Sequence, residues 1–305
     1  MKRKLVKQGA STMMVSLPAK WIKALNLDKG SEVDISETSE GLLISSNYIN
    51  IKMSISLKLV GNIESSIRTL IVNTYRRGYD KIIIEYDNEI QYNHILSTLK
   101  DYIIGFDVTE KKDGCCIIEN ITEPAADQFD NILNKIFYNI TELFLVVDKI
   151  FTTSSNYSIY LNECNMIEER IQKYDNFCRR SIAKQKNKIE NSEFLWGMLV
   201  SLNHAQRKLW HSCHICKDIK LSSNIFELLN GISSLYENIK KAFLEKDMSA
   251  LSKVHHAEKK LIRELGYKIL EKSKGKEGVI VFYLLMAARE FYQTNSSLSG
   301  LLMID

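Results

Sequence analysis

From Asp127 onward, apolar residues recur at helical spacing over about six turns: Phe129, Ile132, Leu133, Ile136, Phe137, Ile140, Leu143, Phe144, Val147 and Phe151. An unbroken stripe of that length belongs to a helix buried along one side, the signature of a bundle. The pattern stays helical to the end of the chain. Breaks at TTSSN, KIENSE, KLSSN, EKDMS and KSKGKEG divide it into about six helices, several with a Ser or Asn placed to cap them. Six helices make two three-helix units. A faint repeat supports that division: LVSLNHAQRKLW and FYLLMAAREFYQ align Leu202 with Leu284, Ala205 with Ala287 and Arg207 with Arg289, 82 residues apart.

Ahead of this half stand the only two prolines, Pro18 and Pro124, and the second reads as a domain boundary. Between residues 51 and 121 the character is mixed. IKMSISLKLV and DKIIIEY read as strands, with Ile63, Ile67, Leu70 and Ile71 on a helix between them. A second helix turns Tyr92, Ile95, Leu96 and Leu99 inward, and FDVTEK with GCCIIEN forms a closing hairpin around Asp113-Gly114. Residues 1 to 47 hold short apolar pieces (KLVKQ, TMMVSL, EVDISE, GLLISS) and one helix near Ala19 to Leu25, opened by Pro18. The expected division is 1–48, a small β-rich unit; 49–122, a small α/β domain; and 125–305, all helical.

The chain has 305 residues, 45 % hydrophobic and 26 % charged, which excludes disordered and collagen-like classes. No stretch reaches the roughly 18 to 20 consecutive apolar residues of a membrane span, and MKRKLVKQGAS lacks the apolar core of a signal peptide. A cytoplasmic protein without membrane insertion is expected, its six cysteines, one adjacent pair and the others scattered, reduced. The net charge of +4 is unevenly spread. Residues 1 to 30 carry seven Lys and Arg against Asp28 alone, a local +6, so the other 275 residues sum to −2. That points to a polyanion bound at one end of the molecule.

A unit of fewer than 50 residues buries too little surface to stand alone, and its strands are too few to close a sheet. A second copy is the expected remedy. The basic strand, GASTMMVSLP, the helix AKWIKALNL and DKGSEVDI resemble the AbrB/SpoVT family over about residues 3 to 46. Gly9, Ser11, Pro18, Trp21, Leu25, Leu27, Gly30 and Val33 fall in the family's order. The resemblance implies a swapped-hairpin β-barrel formed by two interleaved chains, and binding of double-stranded DNA by the homodimer. On this chain the phosphate-contacting residues would be Arg3, Lys4 and Lys7 on the first strand, Lys20 and Lys23 on one helix face, and Lys2 and Ser11 beside them. Met13, Val15, Leu17, Trp21, Ile22, Leu25 and Leu27 read as core and dimer seam, and Gly9 and Gly30 as turn residues with positive φ.

The helical half, as two three-helix units with an Arg on each third helix, is similar to the PhoU family of phosphate-uptake regulators. An AbrB-like unit fused ahead of a PhoU-like unit is an arrangement found mainly in archaea. The family often brackets that Arg with two acids able to hold metal clusters. Here the stretches read Gln206-Arg207-Lys208-Leu209-Trp210 and Ala288-Arg289-Glu290-Phe291-Tyr292, so the acids are absent and no metal or other cofactor is assigned. Arg207 and Arg289 read as bundle ion-pair partners, with Glu168, Glu169 and Glu258 available. HSCHICKD tempts a zinc reading, but on a helix Cys213 and Cys216 share an arc of about 100° with Leu202 and Leu209. His204, His211 and His214 point the other way.

The expected fold class is therefore α+β and multidomain: an AbrB-like dimeric barrel, a small α/β middle domain and a PhoU-like six-helix domain. The expected function is a DNA-binding transcriptional regulator of phosphate uptake, its bundle sensing or relaying a signal. The alternative is an interaction protein acting on a phosphate transporter or signalling partner, with the N-terminal unit mainly dimerising. No phosphate-cradling Gly-rich loop, HExxH or nucleophile elbow is present, so no enzyme is expected.

Overall fold

The computed structural model describes residues 2–9, 11–38, 41–45, 52–122, 128–153, 156–184 and 189–303. Pro124, Asp127 and the expected boundary at residues 48 and 49 lie outside them. The chain divides into two compact units, Met1–Lys52 and Met53–Asp305.

The first unit holds β1 (Val6–Gln8) paired antiparallel with β2 (Thr12–Met14), then α1 (Ala19–Ala24), then β3 (Asp34–Thr38) paired antiparallel with β4 (Gly41–Ser45). These are two separate two-stranded ribbons, the smallest sheet there is. Gly9 and Gly30 both adopt positive φ, as their turns require. Leu27 is the one buried hydrophobic residue among those described here.

The second unit opens with a four-stranded sheet in the order β5-β6-β8-β7. β5 (Ser54–Lys58) runs parallel to β6 (Lys81–Glu85) because α2 (Glu64–Arg76) carries the chain across between them. After α3 (Glu89–Tyr102), β7 (Phe106–Lys112) and β8 (Cys115–Asn120) form the antiparallel hairpin expected at Asp113-Gly114. Ile82, Ile84, Cys116 and Ile118 alternate onto the face covered by Ile67, Ile71 and Tyr75 of α2 and Ile95 and Leu99 of α3. Cys115 falls on the other side of its strand from Cys116, whose thiol burial pushes up to about 11.

Three expectations fail here. Ile63 precedes α2 and is exposed, and Leu70 and Leu96 face outward. Inside α3 their place is taken by Gln91 and Thr98. Gln91 satisfies its amide on backbone, accepting from Asp87 N at 2.7 Å and donating to Gly61 O at 2.9 Å, while Thr98 donates to His94 O at 2.7 Å. Buried polar side chains that close such bonds cost little. Gly105, at the turn into β7, has φ +80°, and a Cβ there would collide with the Thr122 carbonyl oxygen. Gly105→Ala is expected to lower unfolding free energy by at least about 1–2 kcal/mol, read by urea titration.

The rest is helical: α4 (Gln128–Thr152), α5 (Tyr157–Lys184), α6 (Ser192–Ile215), α7 (Ser223–Glu245), α8 (Met248–Ala257), α9 (Tyr267–Lys272) and α10 (Gly275–Leu302). A π-helical stretch, Glu258–Gly266, joins α8 to α9, so these segments run on as one rod. Counting it once leaves six helical rods among the described residues from Gln128 onward. Every residue of the Phe129–Phe151 stripe is buried. α6 lies along α10, where Leu202, Ala205, Leu284 and Ala287 are fully buried, the small alanines letting the rods approach. Capping differs from expectation. Ser222 and Asn191 precede α7 and α6 without a side-chain cap, whereas Asn88 caps α3 and Asp247 caps α8.

Sheet and bundle meet along α5, and the seam is polar. Arg76 of α2 donates to Asn176 Oδ1 at 2.8 Å and to Asp175 Oδ2 at 3.1 Å. Arg179 grips both Asp175 oxygens at 2.9–3.0 Å, and Asn203 of α6 adds a bond at 2.9 Å. Arg180 donates to the carbonyls of Tyr75 and Tyr79 and, at 2.6 Å, to Asp80, which Lys184 also reaches at 2.7 Å. These partners hold the Asp80 carboxyl below the ordinary range despite its burial. No described helix is long and apolar enough to cross a membrane.

Candidate nucleic-acid interface

The six candidate basic residues of the first unit are distributed over a leading segment, a strand and a helix. Lys2, Arg3 and Lys4 lie ahead of β1, which corrects the expectation that Arg3 and Lys4 sit on the strand. Only Lys7 is on it, paired across the ribbon with Met13. Ser11 occupies the turn between β1 and β2. Lys20 and Lys23 are on α1, three residues apart and so on adjoining parts of one face.

α1 starts where Pro18, extended at ψ 126°, offers its carbonyl to the amides of Trp21 (2.9 Å) and Ile22 (3.1 Å). Its fixed φ suits the entry to a helix, and it lacks the donor that a strand would need. Trp21 and Ile22 turn half inward, and the Leu27 amide returns to Ile22 O at 3.0 Å. That rotation puts Lys20 and Lys23 outward.

All seven candidate residues are exposed, and none makes an ion pair among the described residues. Their charge is therefore available to an external anion. The described acids of the β3–β4 ribbon and its approach are Glu32, Asp34 and Glu37. The candidate cations thus lie on the segment before β1, on β1 and on α1, and these acids on the second ribbon and its approach.

The same unit exposes Leu5, Val6, Met13, Met14, Val15, Ile35 and Leu42. Of the expected core, Leu27 is buried and Leu17, Trp21, Ile22 and Leu25 are half-buried, but Met13 and Val15 are open. Isolated exposed apolar residues are ordinary, but so many on so small a unit leave it without a core of its own.

In the second unit Cys213 and Cys216 are buried, His214 is exposed and His211 is half-exposed, stacked on Tyr283. The opposed arcs expected of HSCHICKD are present. Arg207 approaches Glu168 at 3.7 Å, while Arg289 donates to the Tyr267 hydroxyl at 2.9 Å, and Glu258 pairs instead with Arg263. Between residues 51 and 121 the sequence alone singles out no functional residue. The structure adds a helix face of α2 carrying Thr69, Val72, Asn73 and Arg76, whose i, i+3, i+4, i+7 spacing is a signal of shared surface.

No curated protein and no solved structure matches the chain. Residues 6–48 match the family model described as antidote-toxin recognition MazE, bacterial antitoxin. The first unit thus carries a MazE/AbrB-like, antitoxin-type domain, consistent with a DNA-binding or antitoxin-type regulator.

Proposed function

We propose that this protein is a homodimeric DNA-binding transcriptional regulator. One observation carries the reading: an exposed basic set, without an ion pair among the described residues, lies on the same small unit as an exposed apolar set. Two interleaved chains, as in a swapped-hairpin barrel, would cover the apolar residues and bring two copies of Arg3, Lys4, Lys7, Lys20 and Lys23 together. Lys and Arg so gathered replace the counterions condensed on duplex DNA.

In the finer reading the helical half is a PhoU-like relay that reports phosphate supply to the DNA-binding unit. Its support is the resemblance together with the six rods and the placement of Arg207 and Arg289 at corresponding positions of α6 and α10. A second reading, an interaction protein whose first unit serves a protein partner, is favoured by the description of the matched family.

Anisotropy titration of a labelled generic duplex with the full chain separates the two. For about six phosphate contacts per dimer, log K is expected to fall with log salt at a slope of about −5. Absence of binding at about 50 mM salt, or a flat salt dependence, overturns the DNA reading in favour of the protein-partner one.

A further inference from the structure

Within the second unit, α2, α5 and α6 line a cavity of about 370 Å³ that opens to solvent. That volume suits a small organic ligand. Its walls carry Arg68 and Arg76 from α2, Glu168 from α5, Arg207 and Trp210 from α6, and Tyr102 from the end of α3.

The three guanidiniums are unequally engaged. Arg76 is spent on Asp175 and Asn176. Arg68 donates to Glu64 at 2.5 Å and lies 5.0 Å over the Tyr102 ring, leaving other N–H groups of its fork open. Arg207 is the least committed. Its side chain is 44 % exposed, and its nearest acid among the described residues is Glu168 at 3.7 Å, beyond hydrogen-bond length. Glu168 is a weak counter-ion for it. Its Oε1 is held by the Gln172 amide at 2.8 Å, and burial pushes its carboxyl above the ordinary range against the pull of Arg207. The other acid of the wall, Glu169, is exposed at the rim. His214, exposed, shares the Asn165 oxygen with the Trp210 indole N–H.

Five fixed donors on Arg207, an open fork on Arg68 and an aromatic wall make a site for a planar or tetrahedral oxyanion with more ligand beyond it. We infer that this cavity binds a small oxyanion-bearing ligand, a phosphate or carboxylate whose anionic group is held between Arg68 and Arg207. Because α2 belongs to the sheet layer and α5 and α6 to the bundle, such a ligand braces one against the other. The inference is independent of the DNA reading, and its test uses no DNA.

The test is titration of Trp210 fluorescence in the full chain with inorganic phosphate, AMP and citrate, with sodium chloride at matched ionic strength as reference. At least one of the three is expected to give a saturable change. That change should vanish in Trp210→Phe and weaken about tenfold or more in Arg207→Gln, with Arg207→Lys between. Glu168→Gln, which removes the competing carboxylate, should tighten it, and Arg289→Gln, outside the cavity, should leave it unchanged. A response to phosphate alone identifies a bare oxyanion ligand, to AMP an organic phosphate, and to citrate a carboxylate. No saturable response to any of them, a response that chloride reproduces, or equal affinity in Arg207→Gln overturns the inference.

Discussion

Asp175→Asn is expected to lower the unfolding free energy by about 3–5 kcal/mol, the cost of stripping the partner from a buried charge. Asp175 is 1 % exposed and Arg179 6 % exposed, and the carboxylate also takes bonds from Arg76 and Asn203. An amide of the same shape keeps the packing but leaves the Arg179 guanidinium buried beside a neutral group, with the Trp196 face 5.0 Å away as its remaining support. Urea unfolding of the full chain reads the change as a shift of midpoint at constant slope. A double variant, Asp175→Asn with Arg179→Met, should recover part of the loss, because the orphaned charge goes with it. A loss below about 1 kcal/mol would mean that water reaches the seam and that the sheet is not locked to the bundle there.

Reversal of three charges together, Arg3→Glu, Lys4→Glu and Lys7→Glu, is expected to weaken duplex binding by at least about 100-fold at ~50 mM salt and to flatten the salt slope. All three side chains are exposed and outside any described ion pair, so the fold of the unit should survive. Sedimentation velocity in parallel should show an unchanged oligomer. Unaltered DNA binding by an intact dimer would remove the proposed mechanism. Loss of the dimer would instead place these residues in the contact between chains. Lys20 and Lys23 on α1 are left intact in this variant, so a residual slope should report their share.

Features carried by local pattern were legible in the residues alone. The Phe129–Phe151 stripe, the breaks between rods, the hairpin at Asp113-Gly114 and the opposed arcs of Cys213 and His214 all follow from periods of 3.6 and 2. The positive φ of Gly9 and Gly30 follows from the turns they make. The exposed basic set of the first unit was legible as composition, and its division between a leading segment, a strand and a helix was not. Strand ends are set by pairing, and β1 pairs over three residues only.

What local pattern could not supply were partners distant along the chain. Leu96 reads as core beside Leu99, yet Gln91 and Thr98 go inward because nearby backbone groups satisfy them. Asp175, Arg179 and Arg180 carry no sequence pattern that marks them as buried. Their burial comes from elements distant in sequence: α2 and its following loop, about a hundred residues earlier, supply Arg76 to Asp175 and Asp80 to Arg180, and α6 supplies Asn203 and Trp196. The cavity walled by Arg68 and Arg207 has the same origin, since each arginine alone is an ordinary helix-surface residue. Sequence by itself determined which side of each element is apolar, because that is written in spacing. Tertiary structure decided which charges are buried, paired or left open, because that depends on what each face meets.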